Sequence, residues 1–207
     1  MKNKKIDKDT ILVINDIEKY SSVNGPGLRT VIWVQGCSIH CKGCFNKDLW
    51  DKNGGKKMFV SDILKQIPKD VDGITISGGE PFEQCIGLTK FIELFKKKFP
   101  KKTVIIFIGI SKSLLIWASK YSLNEVGLFT SKESLVDMII MNPYKRKNRK
   151  IKSFEDINKE VWNITGRIKD FKLDNSLEIS ISEDGEMLGT GFIDGRKLFK
   201  RIGGVKC

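Results

Sequence analysis

Four short runs of the chain are almost unbroken in apolar character: RTVIWVQ at 29–35, GITIS at 73–77, VIIFIGI at 104–110 and VDMIIM at 136–141. Each is rich in β-branched residues and too short for a core helix, so each is predicted to be a buried strand. Strands buried on both faces belong to parallel sheets, where crossover helices cover the faces. The segments between them supply such helices. FVSDILKQI at 59–67 has helical apolar spacing, with Ser61 as its expected N-cap. Residues 84–98 turn Ile86, Leu88, Phe91, Ile92, Leu94 and Phe95 toward the core and end in lysines, which suit the negative pole of a helix dipole. A third helix is predicted over 112–121. This alternation implies βα units around a parallel sheet.

After about residue 145 the pattern changes. KRKNRKIK at 145–152 is a dense basic loop, 153–163 reads as a short polar helix, and LEISISEDGEMLGTGFI at 177–193 reads as two strands around Asp184-Gly185. The expected organisation is a core over 1–145 and, over 146–207, a basic loop with a C-terminal antiparallel extension packed on the same domain. The chain has 207 residues, 40% hydrophobic and 30% charged, which is the composition of a globular protein. No apolar run approaches the roughly 20 residues of a membrane helix. The start, MKNKKIDKDT, lacks the apolar centre of a secretory signal, so a cytoplasmic location is expected. The net charge of +12 is spread over nearly every segment. The basic loop has too few aromatics for a base-stacking platform, so nucleic acid is not the expected partner; an acidic protein surface is.

Thiols in a reducing compartment point to metal or redox chemistry rather than to disulfides. Three of the five cysteines, Cys37, Cys41 and Cys44, lie within GCSIHCKGCFN at 36–46, beside the only histidine, His40. Several explanations compete. The three could form one face of a helix, but Gly36 and Gly43 and the strand before them favour a loop. With His40 they could hold zinc, although adjacent His40 and Cys41 strain a tetrahedral site. They could hold an iron–sulfur cubane, in which three thiolates leave one iron without a protein ligand, open to a substrate. Cys85 is expected to be a small buried hydrophobe and Cys207 to be free.

The Cys-x3-Cys-x2-Cys spacing after the first of these strands resembles the signature of the radical S-adenosylmethionine superfamily. The longer run VNGPGLRTVIWVQGCSIHCKGCFNKDLW at 23–50 resembles the activating enzymes of glycyl-radical proteins, most closely those acting on anaerobic ribonucleotide reductase. Gly78-Gly79-Glu80-Pro81, at the end of the second strand, resembles that family's GGEP element. The resemblance implies a shortened (βα)6 partial barrel, an α/β fold here carrying a C-terminal β-hairpin appendage. It implies a [4Fe-4S] cluster on Cys37, Cys41 and Cys44, which are also the catalytic residues in this scheme. S-adenosylmethionine would chelate the open iron, with Gly43, Cys44 and Phe45 around the adenine and Gly78, Gly79 and Glu80 at the methionyl end. The implied reaction is reductive cleavage to methionine and a 5′-deoxyadenosyl radical, which takes a hydrogen from a glycine of a large partner enzyme. A flavodoxin-like or ferredoxin-like donor would supply the electron. The NGPG turn at 24–27 would lie near the site opening. Some features differ from the reductase-activating group: Ile108-Gly109-Ile110 ends the third strand, and Asn142-Pro143-Tyr144 follows the fourth. Two other functions stay open: a single-cluster radical enzyme modifying a peptide or small molecule, and a non-catalytic iron–sulfur or zinc interaction module.

Overall fold

The computed structural model describes residues 10–44, 46–121, 134–145, 147, 154–169, 171, 177–181 and 187–191. Its main element is a mixed sheet of seven strands: β1 (Ile11–Ser21), β2 (Arg29–Val34), β3 (Lys56–Phe59), β4 (Gly73–Gly78), β5 (Thr103–Phe107), β6 (Met138–Met141) and β7 (Glu160–Asn163). Their spatial order is β3-β1-β2-β4-β5-β6-β7. Among the described residues β2, β4, β5 and β6 run parallel, with Thr30 opposite Ile74, Ile74 opposite Val104 and Ile106 opposite Ile139. Antiparallel β1 and β3 extend one side, and antiparallel β7 closes the other. Helices α1 (Val60–Gln66), α2 (Cys85–Lys98) and α3 (Lys112–Tyr121) accompany the sheet. A separate antiparallel pair, β8 (Leu177–Ile181) and β9 (Met187–Gly191), falls in the segment expected to form a hairpin; its connecting residues, Asp184-Gly185 included, lie outside the described residues.

The parallel strands are apolar throughout because both faces are covered. Val104 and Ile106 of β5, with Ile139 and Met141 of β6, join the larger core with Leu88, Phe91, Ile92 and Phe95 of α2. The alternate residues Ile105, Met138 and Ile140 face the other way and pack with Ile157 and Ile168. The stretch after the basic loop is therefore the cover of the second face. It begins with a 3-10 helix, Phe154–Ile157, and continues as β7, where a single polar helix over 153–163 was expected. The open edge of β6 decides this: pairing Ile139 with Trp162 and Met141 with Glu160 satisfies both strands' main chains.

Other expectations are corrected. Strand β3 runs straight into α1, so extended Phe59, not Ser61, occupies the N-cap position, and no side chain caps the helix. Ile86 is 64% exposed rather than buried. At 100° per residue it points about 200° away from Leu88, off the stripe made by Leu88, Phe91, Ile92 and Phe95. Strand β1 carries Asp16, Glu18 and Lys19 and two register irregularities, which hide its periodicity; β3 is four residues long and includes two lysines. Such short, charged edges resist pairing with other chains. Lys96 does more than meet the helix dipole: its ammonium is buried against the fully buried Asp137.

Asp137 gathers α2, β5 and the loop after β7. One carboxylate oxygen accepts from Lys96 Nζ at 3.0 Å and the Val104 amide at 2.8 Å. The other accepts from Thr165 Oγ1 at 2.7 Å and pairs with Arg167 at 2.6 Å. Burial lowers the Lys96 pKa while Asp137 opposes the shift. Asp137→Ala would strand that ammonium, and breaking a buried pair in this way costs about 3–5 kcal/mol. Urea unfolding should show a loss of that size for Asp137→Ala, and a clear partial recovery in Asp137→Ala/Lys96→Met, which removes the buried unpaired ammonium and leaves only the partly exposed Arg167 without its carboxylate.

Candidate functional site

The carboxyl ends of β2, β4, β5 and β6 face one cleft open to solvent. The cysteine loop leaves β2 on this side and is closed by its own main chain. The Gly36 amide donates to the Leu49 carbonyl at 2.9 Å and the Cys37 amide to the Trp50 carbonyl at 3.2 Å. Gln35 reinforces the closure: its Nε2 donates to the Asp51 and Asp48 carbonyls at 2.7 and 3.1 Å. Within the loop the Cys44 amide reaches the Cys41 carbonyl at 3.0 Å.

Cys37, Cys41 and Cys44 are free, half-buried thiols, and all three line the cleft. Burial raises the Cys37 pKa, helped by the negative charges of Glu80 and Glu83, while the amides of Ile39 and His40 pull toward the thiolate. The Asn46 amide lies 3.4 Å from the Cys44 sulfur. A cation bound here would reverse the burial effect and hold the sulfurs ionised.

The second wall is Gly78-Gly79-Glu80. The ladder between β2 and β4 runs on into the first turn of the cysteine loop: the Gly79 amide donates to the Val34 carbonyl and the Glu80 amide to the Gly36 carbonyl, each at 2.8 Å. A Cβ at Gly79 would lie 2.1 Å from the Gly36 oxygen, and Gly78 has φ of +107°, so this approach requires both glycines. Glu80 is buried. Its carboxylate accepts from the Gly109 amide at 2.5 Å and the Phe82 amide at 3.0 Å, joining the ends of β4 and β5. Burial raises its pKa, against the pull of those amides and of Lys159. Glu83 clamps the cysteine loop from outside, accepting from the Ser38 amide at 2.6 Å and pairing with Lys52 at 2.8 Å.

The site residues expected from sequence are thus distributed as follows. The three cysteines, Gly78, Gly79 and Glu80 share one cleft. Gly43 forms the turn before Cys44, 3.8 Å from the Tyr144 ring as measured from where its Cβ would stand. Phe45 lies outside the described residues. His40 is exposed and stacks on Trp50, ring centroids 4.4 Å apart. No three His, Cys, Asp or Glu side chains converge on a single ion among the described residues. A cubane asks for something else, since each thiolate meets a different iron. Cys85 is half-buried at the start of α2. The NGPG turn is not near the opening: it precedes β2, whose far end carries the cysteine loop, roughly 16 Å along the strand. There Gly25 packs on buried Arg29, whose five N–H groups reach Thr75, Thr103, Ile74 and Pro26.

Lys159 was not foreseen. Its ammonium sits in the cleft wall and donates to the carbonyls of Ile108 at 3.1 Å and Asn142 at 2.5 Å, beyond the ends of β5 and β6. Burial lowers its pKa; Glu80 and the three thiols oppose the shift. One lysine among many in a segment expected to be a surface helix carried no signal.

The residues present fit an iron–sulfur group: three soft thiols from one loop, none in a disulfide, line an open cleft at the carboxyl ends of the parallel strands. The profile of a 4Fe-4S single cluster domain matches residues 23–153, more than half of the chain. A pyruvate formate-lyase-activating enzyme of Clostridium pasteurianum is 36% identical over 92 residues, 41% of this chain and 39% of that protein. The pyruvate formate-lyase 1-activating enzyme of Escherichia coli K12 is 34% identical over 92 residues, covering 41% and 37%. The anaerobic ribonucleoside-triphosphate reductase-activating protein of Enterobacteria phage T4 is 30% identical over 94 residues, covering 42% and 60%. The chain therefore matches well under half the length of the two formate-lyase-activating enzymes. Among solved structures, QueE from Escherichia coli superposes with a TM-score of 0.42 and 18% identity, covering 52% of this chain and 58% of that one.

Two substitutions test the architecture. Gly79→Ala must push the cysteine loop away from β4, and overpacking of this kind costs about 1–3 kcal/mol; a thermal melt should show the loss. Glu83→Ala removes the charge-assisted bond from the Ser38 amide and the partly exposed pair with Lys52, together worth about 1–2 kcal/mol. It should speed hydrogen exchange at the Ser38 amide severalfold while leaving the β4 and β5 amides unchanged.

Proposed function

The chain belongs to the 4Fe-4S single cluster domain family, and from that premise we propose that it is a radical S-adenosylmethionine activating enzyme for a glycyl-radical protein. Its cofactors are a [4Fe-4S] cluster and S-adenosylmethionine. The observation that carries the proposal is the meeting of the three free thiols with the Gly78-Gly79-Glu80 wall across a two-bond main-chain contact. When bound, these cofactors supply one-electron cleavage of the sulfonium, giving methionine and the 5′-deoxyadenosyl radical that abstracts a glycine hydrogen.

The chain's own residues bind, orient and exclude water. Cys37, Cys41 and Cys44 are the proposed cluster ligands. Gly43 and Phe45 are proposed beside the adenine, and Gly78, Gly79 and Glu80 beside the methionyl group. The buried, main-chain-bonded Glu80 carboxylate keeps the ends of β4 and β5 together so that the cleft keeps its shape. The sheet is proposed as the wall of a shortened barrel. Residues 1–145 would form its core, and 146–207 an extension packed on it. No helix among the described residues is long and apolar enough to cross a membrane; we place the protein in the cytoplasm, supplied by a flavodoxin-like or ferredoxin-like donor.

Anaerobic ribonucleotide reductase is the proposed target, supported by the Gly43-Cys44-Phe45 run and by the similarity to the phage T4 protein. A pyruvate formate-lyase-type target is the second reading, supported by the similarity to the Clostridium enzyme. The chain should be reconstituted anaerobically with iron and sulfide, reduced with dithionite and given S-adenosylmethionine. 5′-Deoxyadenosine should form, and a glycyl-radical doublet should appear on one candidate partner and not the other. Failure to form 5′-deoxyadenosine with a full cluster removes the enzyme assignment. Cys41→Ala should abolish cluster loading and 5′-deoxyadenosine formation while leaving the circular dichroism spectrum unchanged; normal iron content in that variant contradicts the ligand assignment.

A further inference from the structure

A single cation stands in the wall of the cleft. Among the described residues that line it, Lys159 alone carries a positive side chain. An ammonium withdrawn from water is costly unless an anion meets it. The two hydrogen bonds of Lys159 go to neutral groups, the carbonyls of Ile108 at 3.1 Å and Asn142 at 2.5 Å. An ammonium has three protons to donate, and the third meets no acceptor among the described residues. Glu160, the next residue along the chain, pairs with Lys112 instead, at 3.7 Å. The turn that carries Lys159 is fixed. Asn158 takes a φ of +61°, a region that asparagine tolerates, and its Nδ2 donates to the Pro143 carbonyl at 3.1 Å. The ammonium is thus held at the carboxyl ends of β5 and β6, the side on which the cysteine loop leaves β2.

The negative groups that face this ammonium are Glu80 and the sulfurs of Cys41, Cys44 and Cys37. Glu80 is already served by the amides of Gly109 and Phe82. We propose that the Lys159 ammonium is the counter-cation of the cluster bound by Cys37, Cys41 and Cys44, helping to retain that anionic group and raising its reduction potential. The proposal rests on the cluster assignment above. Three thiolates outweigh the positive charge of an oxidised cubane, and the one electron taken from an external donor adds a further negative charge. Net charge is among the quantities that set a cluster's potential. A fixed cation stabilises the more negative, reduced state, so its presence moves the midpoint upward.

The test uses the full chain, reconstituted anaerobically with iron and sulfide and titrated with dithionite under electron paramagnetic resonance. S-Adenosylmethionine is left out, so that no ligand carboxylate competes for the ammonium. Lys159→Met keeps most of the side chain's length and removes the charge; Lys159→Arg keeps the charge. At full iron content the midpoint of Lys159→Met should fall, lowering the ratio of reduced to oxidised cluster at a fixed potential about tenfold, which is about 59 mV for a one-electron couple. Lys159→Arg should stay near the unmodified protein. A lysine that merely braces the ends of β5 and β6 predicts no such division by charge. An unchanged midpoint in Lys159→Met overturns the proposal, and so does an equal fall in Lys159→Met and Lys159→Arg. If Lys159→Met fails to hold iron, Lys159→Arg decides. Full iron and a near-normal midpoint there support the proposal, because only the charge was kept; loss of iron there too overturns it. A cluster that never forms in the unmodified chain is a different result, and removes the cluster assignment and this proposal with it.

Discussion

Two main-chain hydrogen bonds hold this site together. The Gly79 amide bonds Val34, the last residue of β2, and the Glu80 amide bonds Gly36, so the β2–β4 ladder runs on into the first turn of the cysteine loop. Parallel pairing brings the carboxyl ends of neighbouring strands side by side, but the ladder ordinarily stops where the chains turn apart. Here it continues for one more step, because Gly78 accepts a positive φ and Gly79 has no Cβ to strike the Gly36 carbonyl. Everything that faces the cleft from those two turns is positioned by this contact.

Around it the loop is fastened by polar groups rather than by apolar burial. Gln35 serves the Asp48 and Asp51 carbonyls, Gln84 reaches the Gln35 carbonyl, and Glu83 takes the Ser38 amide. This suits a segment that must hold three thiols at a solvent-open edge, where no core is available to fix it. Charge is balanced across the cleft. Burial alone would neutralise Glu80, Cys37 and Lys159, yet the ammonium of Lys159 draws on Glu80 and on all three sulfurs. The floor of the cleft is thus a cation set among groups that are or can become anions.

Much of this was legible in the chain. The four continuous apolar runs became β2, β4, β5 and β6, because burial on both faces leaves no alternation to misread. The cysteine loop and Gly78-Gly79-Glu80 stood out because their residue types are rare and closely spaced. What escaped did so for physical reasons. Strand β1 mixes core and charged residues through two register irregularities, and β3 and β7 are four residues long, too short to show a period. Ile86 looked like a core residue by type, yet the helical phase of its neighbours turns it outward.

The local chemistry of the chain determined which elements form and which turns can carry a ligand group: β-branched runs, glycines before a ladder extension, thiols in one short loop. Those are properties of neighbours in the chain, fixed by sterics and side-chain type. Only tertiary structure decided which end of β2 each motif occupies, that the NGPG turn serves Arg29 and not the cleft, and that Lys159 and Trp50 stand in the wall with the thiols. These depend on strand direction, on pairing between segments far apart in the chain, and on which polar atoms find partners once water is gone, and none of the three is encoded in any single stretch of residues.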